Sequence, residues 1–222
     1  MRQPLPAAGY RRRKDGMSNM FVLFKPLNVI VTGVGGQGNV LASQVLAAAA
    51  IEAGYRVSVG ETFGASQRGG SVMSHVRISR DRTCGPLIPK GGAHLIVGFE
   101  PLETLRILMD YGNPETVVVM NDRPNYPIGC LLGEEKYPEP DLIIKAINKL
   151  VVKIHVLPAT DLAREAGNAM AANMVLTGAL SGCSLLPFDS RFFTGVIDTL
   201  FSGDVRALNM KAFEKGRETV QG

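Results

Sequence analysis

The sequence predicts an α/β fold: a Rossmann-like, mostly parallel sheet with helices on both faces and further helices at the C-terminus. Short β-branched runs alternate with longer alanine- and leucine-rich runs along most of the chain. This alternation is typical of strands joined by helical crossovers, which make neighbouring strands parallel. Two glycine-bearing loops also follow predicted strands, and ligands of such sheets bind at the carboxyl ends of strands. We therefore expect the ligand-binding edge where these loops lie.

The predicted elements begin at residue 28. Residues 28–32 are β-branched and apolar, as in a buried parallel strand. Residues 40–53 carry apolar side chains at helical spacing and stop at Gly54, a residue typical of helix C-termini. Residues 71–78 alternate polar and apolar side chains, which predicts a strand with one polar face. The remaining predicted strands are 55–60, 93–99, 116–121 and 153–157, and the remaining predicted helices are 102–109, 141–150, 168–182, 189–201 and 204–216.

Residues 27–222 are expected to form the folded domain, and residues 1–26 an extension without fixed structure. Residues 1–16 hold four arginines and one lysine against one aspartate, so this short segment carries the whole net charge of +4. The rest of the chain is neutral and lacks the interleaved aromatic side chains that stack on bases, so no nucleic-acid binding is predicted. No apolar run reaches the roughly 18–20 residues that a membrane span needs.

The three cysteines, Cys84, Cys130 and Cys183, lie far apart and form no C-x-x-C pair. A disulfide framework, a zinc site or an iron–sulfur cluster would need grouped cysteines, so we predict no metal site on this chain. Reduced thiols and the lack of a predicted membrane segment favour a cytoplasmic protein.

The first glycine loop joins the strand 28–32 to the helix 40–53. Gly33, Gly35 and Gly38 fit the spacing G-x-G-x-x-G, with Gly36 and Gln37 among the intervening residues. Glycine lets backbone N–H groups approach a ligand closely, and the N-terminus of a helix favours an anion. We therefore predict that these five residues bind a cofactor. The alternative is that the glycines only permit a tight turn between strand and helix.

The second loop follows the predicted strand 55–60. Glu61 lies about twenty residues beyond the first loop, where a dinucleotide-binding fold has the acid that binds the ribose. The residues after it do not belong to that pattern: Gln67 offers a donor and an acceptor, and Arg68 a guanidinium suited to carboxylate or phosphate. A solvated Arg68–Glu61 ion pair is the alternative. The residues of this loop predicted to bind a cofactor are Glu61, Gln67, Arg68, Gly69, Gly70 and Ser71.

Both loops, taken with four further segments, resemble the gamma domain of the 2-oxoacid:ferredoxin oxidoreductases, and within that family the beta subunits of indolepyruvate ferredoxin oxidoreductases. The further segments are 71–78, 86–89, 99–106 and 171–179, and the resemblance extends from about residue 27 to about residue 216. Ordered similarity over this length is more specific than either loop alone. Phe63 is a departure, because relatives acting on aryl-pyruvates often have histidine there, and another 2-oxoacid could be the substrate.

This resemblance implies an accessory subunit of a complex that decarboxylates 2-oxoacids oxidatively in anaerobic metabolism. Thiamine diphosphate, Mg²⁺ and [4Fe-4S] clusters are expected on a large alpha subunit, with ferredoxin as electron acceptor and coenzyme A as acceptor of the acyl group. The chain itself has neither grouped cysteines nor a convincing thiamine motif. We therefore expect a hetero-oligomer in which this chain completes the partner's active site, and we assign it no catalytic residue.

Two alternatives remain open: a stand-alone NAD-binding Rossmann protein, and a regulatory relative that keeps the fold without catalysis. The first would need an acid–base residue beside the nicotinamide, and none is convincing. His75, on the predicted polar face of its strand, either donates to a ligand or is structural. Asn173 either caps or bridges loops, or bonds within a helix–helix contact. Glu100 and Glu103 either contact a partner or supply an acidic first helical turn.

Overall fold

The computed structural model describes residues 26–63, 70–126, 130, 132–134 and 136–221, with only the backbone of Thr62 and Phe63. The expected extension 1–26 lies outside these residues, except for Pro26. Gln67, Arg68 and Gly69 of the second loop also lie outside them. None of the helices in the described part is both long and apolar enough to cross a membrane.

Six strands form one sheet in the order β2-β3-β1-β4-β5-β6. β1, β4, β5 and β6 pair in parallel, whereas β3 pairs antiparallel with both β1 and β2. The predicted mostly parallel sheet is thus confirmed, with one reversed strand between β1 and β2. The strands are β1 Leu27–Val34, β2 Arg56–Phe63, β3 Ser71–Ser79, β4 Leu95–Gly98, β5 Val117–Asn121 and β6 Lys153–Leu157.

Seven α-helices lie in the described part of the chain, and every predicted helix has a counterpart. They are α1 Asn39–Glu52, α2 Pro101–Tyr111, α3 Pro140–Leu150, α4 Ala159–Ala166, α5 Ala172–Gly182, α6 Ser190–Leu200 and α7 Gly203–Gln221. The predicted helix 168–182 is instead a 3-10 turn, Ala169–Ala171, followed by α5. The side chain of Asn168 accepts a hydrogen bond from the Met170 N–H and starts this turn.

The sheet is buried on both faces because alternate strand residues supply two separate cores. Val29 and Val31 of β1 face a core formed with α1, α4, α5, α6 and α7. Ile30, between them in sequence, faces a second core formed with α2 and α3. The central strands β1, β4 and β5 are therefore buried along their whole length and mostly apolar, as expected for parallel strands covered on both sides. This confirms the prediction of helices on both faces.

The predicted polar face of β3 is covered rather than open to solvent, because both faces of the strand are largely buried. Val76 packs in the first core and Met73 in the second. Ser74 and His75 are also buried. The chain after β3 folds back over it: the Ile88 N–H donates to Nδ1 of His75 at 3.3 Å. Burial, reinforced by the nearby Arg77, lowers the pKa of His75, so this histidine is a neutral structural residue.

Two glycines allow α5 and α7 to pack in backbone contact. A Cβ on Gly178 would overlap the carbonyl oxygen of Phe213, and a Cβ on Gly216 would overlap that of Val175. Neither glycine has a positive φ, so it is close approach rather than backbone conformation that requires them. This contact fixes α5, and with it Asn173, beside the first glycine loop.

Candidate functional site

The two glycine loops meet at the carboxyl edge of the sheet. Val34 at the end of β1 pairs with Ser71 at the start of β3. One residue further, the Gly35 N–H donates to the Gly70 carbonyl at 2.8 Å. The structure thus brings Gly70 and Ser71 of the second loop to the first loop, as the sequence predicted.

Glu61 does not lie beside the first loop. It pairs with Ser74 of β3, and Ser74 pairs in turn with Val31 of β1. In a dinucleotide-binding fold the strand with the ribose acid lies directly beside the first strand. Here the reversed β3 separates β2 from β1, and two strand spacings put Glu61 roughly 10 Å from β1. The strand order therefore does not favour the NAD-binding alternative.

The first loop presents an open helix N-terminus. Gly36 and Gly38 have φ values of 98° and 85°, a conformation that favours glycine. α1 begins immediately after Gly38 without a capping side chain and without an acidic residue in its first turn. The Ala42 N–H, which donates to the Gly38 carbonyl, is the first to enter the helical ladder. The N–H groups of residues 39–41 therefore have no acceptor within the helix and need another partner.

Two asparagines flank this helix N-terminus. Asn39 is only 3% exposed, and neither polar atom of its side chain has a hydrogen-bond partner among the described residues. Leaving a buried polar group unpartnered costs about 1–3 kcal/mol, which a ligand or an ordered water would relieve. Asn173 is buried beside Gly38, where an added Cβ would lie 2.5 Å from its Nδ2. Asn173 thus lies next to the first loop, as the interpretation that it caps or bridges loops requires.

A crevice of about 160 Å³ opens between the first loop and the helices that cover the adjacent strands. Three helical segments begin at its rim: α1 after Gly38, α4 at Ala159 and the 3-10 turn at Ala169. The N-termini of α-helices carry partial positive charge, so the starts of α1 and α4 favour an anion. No lining residue is charged: they are Gly36, Gln37, Phe99, Asn121, Thr160, Ala169, Met170, Ala172 and Leu176.

A network of side-chain amides forms the floor of this crevice. The Phe99 carbonyl accepts from Nε2 of Gln37 at 3.4 Å and from Nδ2 of Asn121 at 3.3 Å. Asn121 also bonds Thr160, donating to its hydroxyl at 3.1 Å and accepting its N–H at 3.3 Å. Sequence reasoning assigned Gln37 but missed Asn121 and Thr160. The sequence did contain a signal for both: Asn121 ends the predicted strand 116–121, and Thr160 follows shortly after the predicted strand 153–157.

A second polar cluster lies on the other face of the same sheet edge, at the start of α2. The buried carboxylate of Glu100 accepts the Glu103 N–H at 2.7 Å and the Tyr137 hydroxyl. Burial raises the pKa of Glu100, and burial together with the Glu100 carboxylate raises the pKa of Tyr137. Glu103 pairs with Arg106 at 2.6 Å. These contacts favour the structural interpretation of both glutamates.

Comparison with known proteins shows which family this chain is similar to. Residues 28–219 match the family model of pyruvate ferredoxin/flavodoxin oxidoreductase. The chain is 40% identical over 190 residues to indolepyruvate oxidoreductase subunit IorB of Archaeoglobus fulgidus, covering 86% of this chain and 93% of the relative. It is 39% identical over 193 residues to the IorB subunit of Thermococcus kodakarensis, covering 86% and 95%.

Solved structures share the fold. A 2-oxoglutarate:ferredoxin oxidoreductase from Magnetococcus marinus, with 2-oxoglutarate, coenzyme A and succinyl-CoA bound, is 27% identical with a TM-score of 0.69 over 89% of this chain. This chain spans only 31% of that larger chain. The pyruvate oxidoreductase subunit PORC of Thermotoga maritima is 22% identical, with a TM-score of 0.63 and coverage of 88% and 97%.

Proposed function

Because this chain belongs to the pyruvate ferredoxin/flavodoxin oxidoreductase family, we propose that it is the small subunit of an aryl-pyruvate:ferredoxin oxidoreductase, with indolepyruvate as its substrate. The chain is an accessory subunit of a 2-oxoacid:ferredoxin oxidoreductase. Indolepyruvate is supported by the 40% identity to an IorB subunit, against 27% to a ketoisovalerate oxidoreductase subunit. We further propose that residues 27–222 are one gamma-type domain.

The cofactors of the reaction belong, in this proposal, to a large alpha subunit. Among the described residues, no group of three His, Cys, Asp or Glu side chains could hold a metal ion. Those residues do not suit Mg²⁺ or a [4Fe-4S] cluster, so no catalytic step is assigned to them. The complex would convert the 2-oxoacid and coenzyme A into acyl-CoA and carbon dioxide, and two electrons would pass to ferredoxin. We expect this hetero-oligomer in the cytoplasm.

The observation that carries the proposal is the uncharged crevice with the N-termini of two α-helices, α1 and α4, at its rim. The relative from Magnetococcus marinus is solved with coenzyme A bound. We propose that coenzyme A is also the ligand here, with one phosphate group at the first turn of α1. Gly36 leaves room for that approach, because nothing lies within 4 Å of where its Cβ would be, and the side-chain amides of Asn39 and Asn173 can donate to an anion.

The size of the crevice supports a partial rather than a complete ligand site. At about 160 Å³ it is smaller than the range of about 300–1,000 Å³ typical of small-molecule pockets. One phosphate group fits this site, and the rest of coenzyme A would extend along the sheet edge toward Gly70 and Ser71. The alpha subunit would then close the site. Glu61, Gln67, Arg68 and Gly69 stay predicted cofactor contacts, the last three outside the described residues.

The proposal is tested by purifying this chain anaerobically with and without the neighbouring alpha subunit. We expect reduction of a low-potential dye that depends on both indolepyruvate and coenzyme A, and only in the complex. Pyruvate, 2-oxoglutarate and 2-oxoisovalerate serve as competing substrates, and kcat/KM should be highest for indolepyruvate. A complex without turnover would favour the regulatory alternative. Failure to associate, together with micromolar NAD binding by the isolated chain, would favour the Rossmann alternative.

A further inference from the structure

We infer that Gln37 is a positioning residue, which holds the first glycine loop closed against the end of β4 and acts on the ligand only through that loop. Its Oε1 accepts the Val34 N–H at 2.8 Å, and its Nε2 donates to the Phe99 carbonyl at 3.4 Å. Both ends of the amide are therefore bonded to backbone. This inference rests on the proposed coenzyme A site.

The side chain of Gln37 fits only because residue 33 is glycine. A Cβ on Gly33 would lie 2.6 Å from Oε1 of Gln37 and 2.6 Å from Cβ of Phe99. Gly33 does not have a positive φ, so a turn conformation does not explain it. The first glycine of the loop thus provides the space in which Gln37 lies.

These contacts join the carboxyl ends of two neighbouring parallel strands. Val34 ends β1, and Phe99 follows Gly98 at the end of β4. The loop between Val34 and α1 carries the backbone donors of the proposed phosphate site. With Gln37 in place, the start of α1 is held at a fixed distance from the crevice floor. Without it, the loop must be ordered when the ligand binds, and that ordering weakens binding.

A positioning role and a direct contact predict different results for different ligands. A direct hydrogen bond to one phosphate would be lost when that phosphate is removed from the ligand. A closed loop would favour every ligand that uses the start of α1, by the same factor. The conformation of the loop before ligand binding also depends on Gln37 only under the positioning role.

The test compares Gln37→Met, which keeps the length but loses both hydrogen bonds, with Gln44→Met as the matched control. Gln44 is exposed on α1, away from the loop. In the complex with the alpha subunit, we expect Gln37→Met to raise KM for coenzyme A on the order of tenfold, the equivalent of about 1.4 kcal/mol. The kcat at saturation should stay unchanged. Dephospho-coenzyme A, which keeps the diphosphate from which we place one phosphate group at α1, should show the same factor, and Gln44→Met should match the wild type.

Amide hydrogen exchange of the same complexes without coenzyme A supplies the second measurement. We expect faster exchange at residues 33–38 in Gln37→Met only, because the Val34 N–H loses its acceptor. Unchanged exchange with a raised KM, or an effect confined to one of the two ligands, would show direct contact and overturn the inference. So would an unchanged KM. If the wild-type complex itself does not depend on coenzyme A, the proposed function fails, whereas the exchange measurement still decides whether Gln37 holds the loop.

Discussion

The first turns of α1 and α2 lie at the same sheet edge, on opposite faces, and they are completed in opposite ways. α2 is capped by its own chain: Glu100 accepts the Glu103 N–H, and a second acid stands in the first turn. α1 has neither a side-chain cap nor an acid in that turn, and the buried amide of Asn39 beside it has no partner among the described residues. The orphan N–H groups of a helix must be satisfied from somewhere. α2 satisfies them internally, whereas no described side chain caps those of α1, which is where we propose that a ligand binds.

Placing an acid in the first turn of α1, as α2 has, should weaken coenzyme A binding more than any other change proposed here. Val40 is half-buried in the first turn, and Val40→Glu would put a carboxylate there. At about 6 Å from a bound phosphate and an effective dielectric constant near 20, the repulsion is about 2.8 kcal/mol. We expect KM for coenzyme A to rise about 100-fold relative to Val40→Gln, which has the same shape without the charge. Equal KM values for the two variants in the complex would mean that no anion binds at α1.

Removing the cap of α2 should cost stability and leave ligand binding intact. Glu100→Ala leaves the Glu103 N–H and the Tyr137 hydroxyl without their acceptor. We expect the free energy of unfolding to fall by about 2 kcal/mol, measured by urea denaturation of this subunit. Glu115→Ala, at an exposed glutamate, is the control and should change it by less than about 0.5 kcal/mol. A change in KM for coenzyme A in folded Glu100→Ala complexes would contradict the division between the two helices.

The smallest effect concerns pH. Burial raises the pKa of Glu100 above its usual 4.5, so the folded protein holds this proton more tightly than the unfolded chain does. The resulting stability is fully present below pH 4.5 and is lost as the pH rises through the raised pKa. The glutamine in Glu100→Gln cannot ionise, so this variant does not lose stability in that pH range. We therefore expect the stability advantage of wild type over Glu100→Gln to be larger at pH 4 than at pH 8, measured by urea denaturation at both. If the difference in unfolding free energy between the two proteins does not change with pH, burial does not raise the pKa of Glu100.

The parts of the site that the sequence predicted are those specified locally. Residues 28–32 and 40–53 have the composition and period of a buried strand and a helix, and the glycines between them fit the turn that joins the two. α4 was missed although Ala159, Leu162, Ala163 and Ala166 have helical spacing. Eight residues are too few for such a pattern to stand out between a strand and the glycine that follows.

The contacts that decide function depend on chain segments far apart in sequence. A period-two pattern does not reveal which strand lies beside β1. In the structure β3 lies between β1 and β2, and this order separates Glu61 from the first loop. The buried state of His75 likewise depends on residues that return over β3. Asn121 and Thr160 meet the loop only because parallel strands bring their carboxyl ends to one edge.

The sequence by itself therefore determined the α/β class, the strand–loop–helix unit at residues 28–53 and the edge at which a ligand should bind. Hydrophobic period and glycine spacing act over a few residues, so one chain segment is enough to reveal them. Only the tertiary structure decided that α1 is left uncapped above an uncharged crevice and that Gln37 bonds to Val34 and Phe99. Both features depend on which strands become neighbours, and that is settled by packing the whole chain.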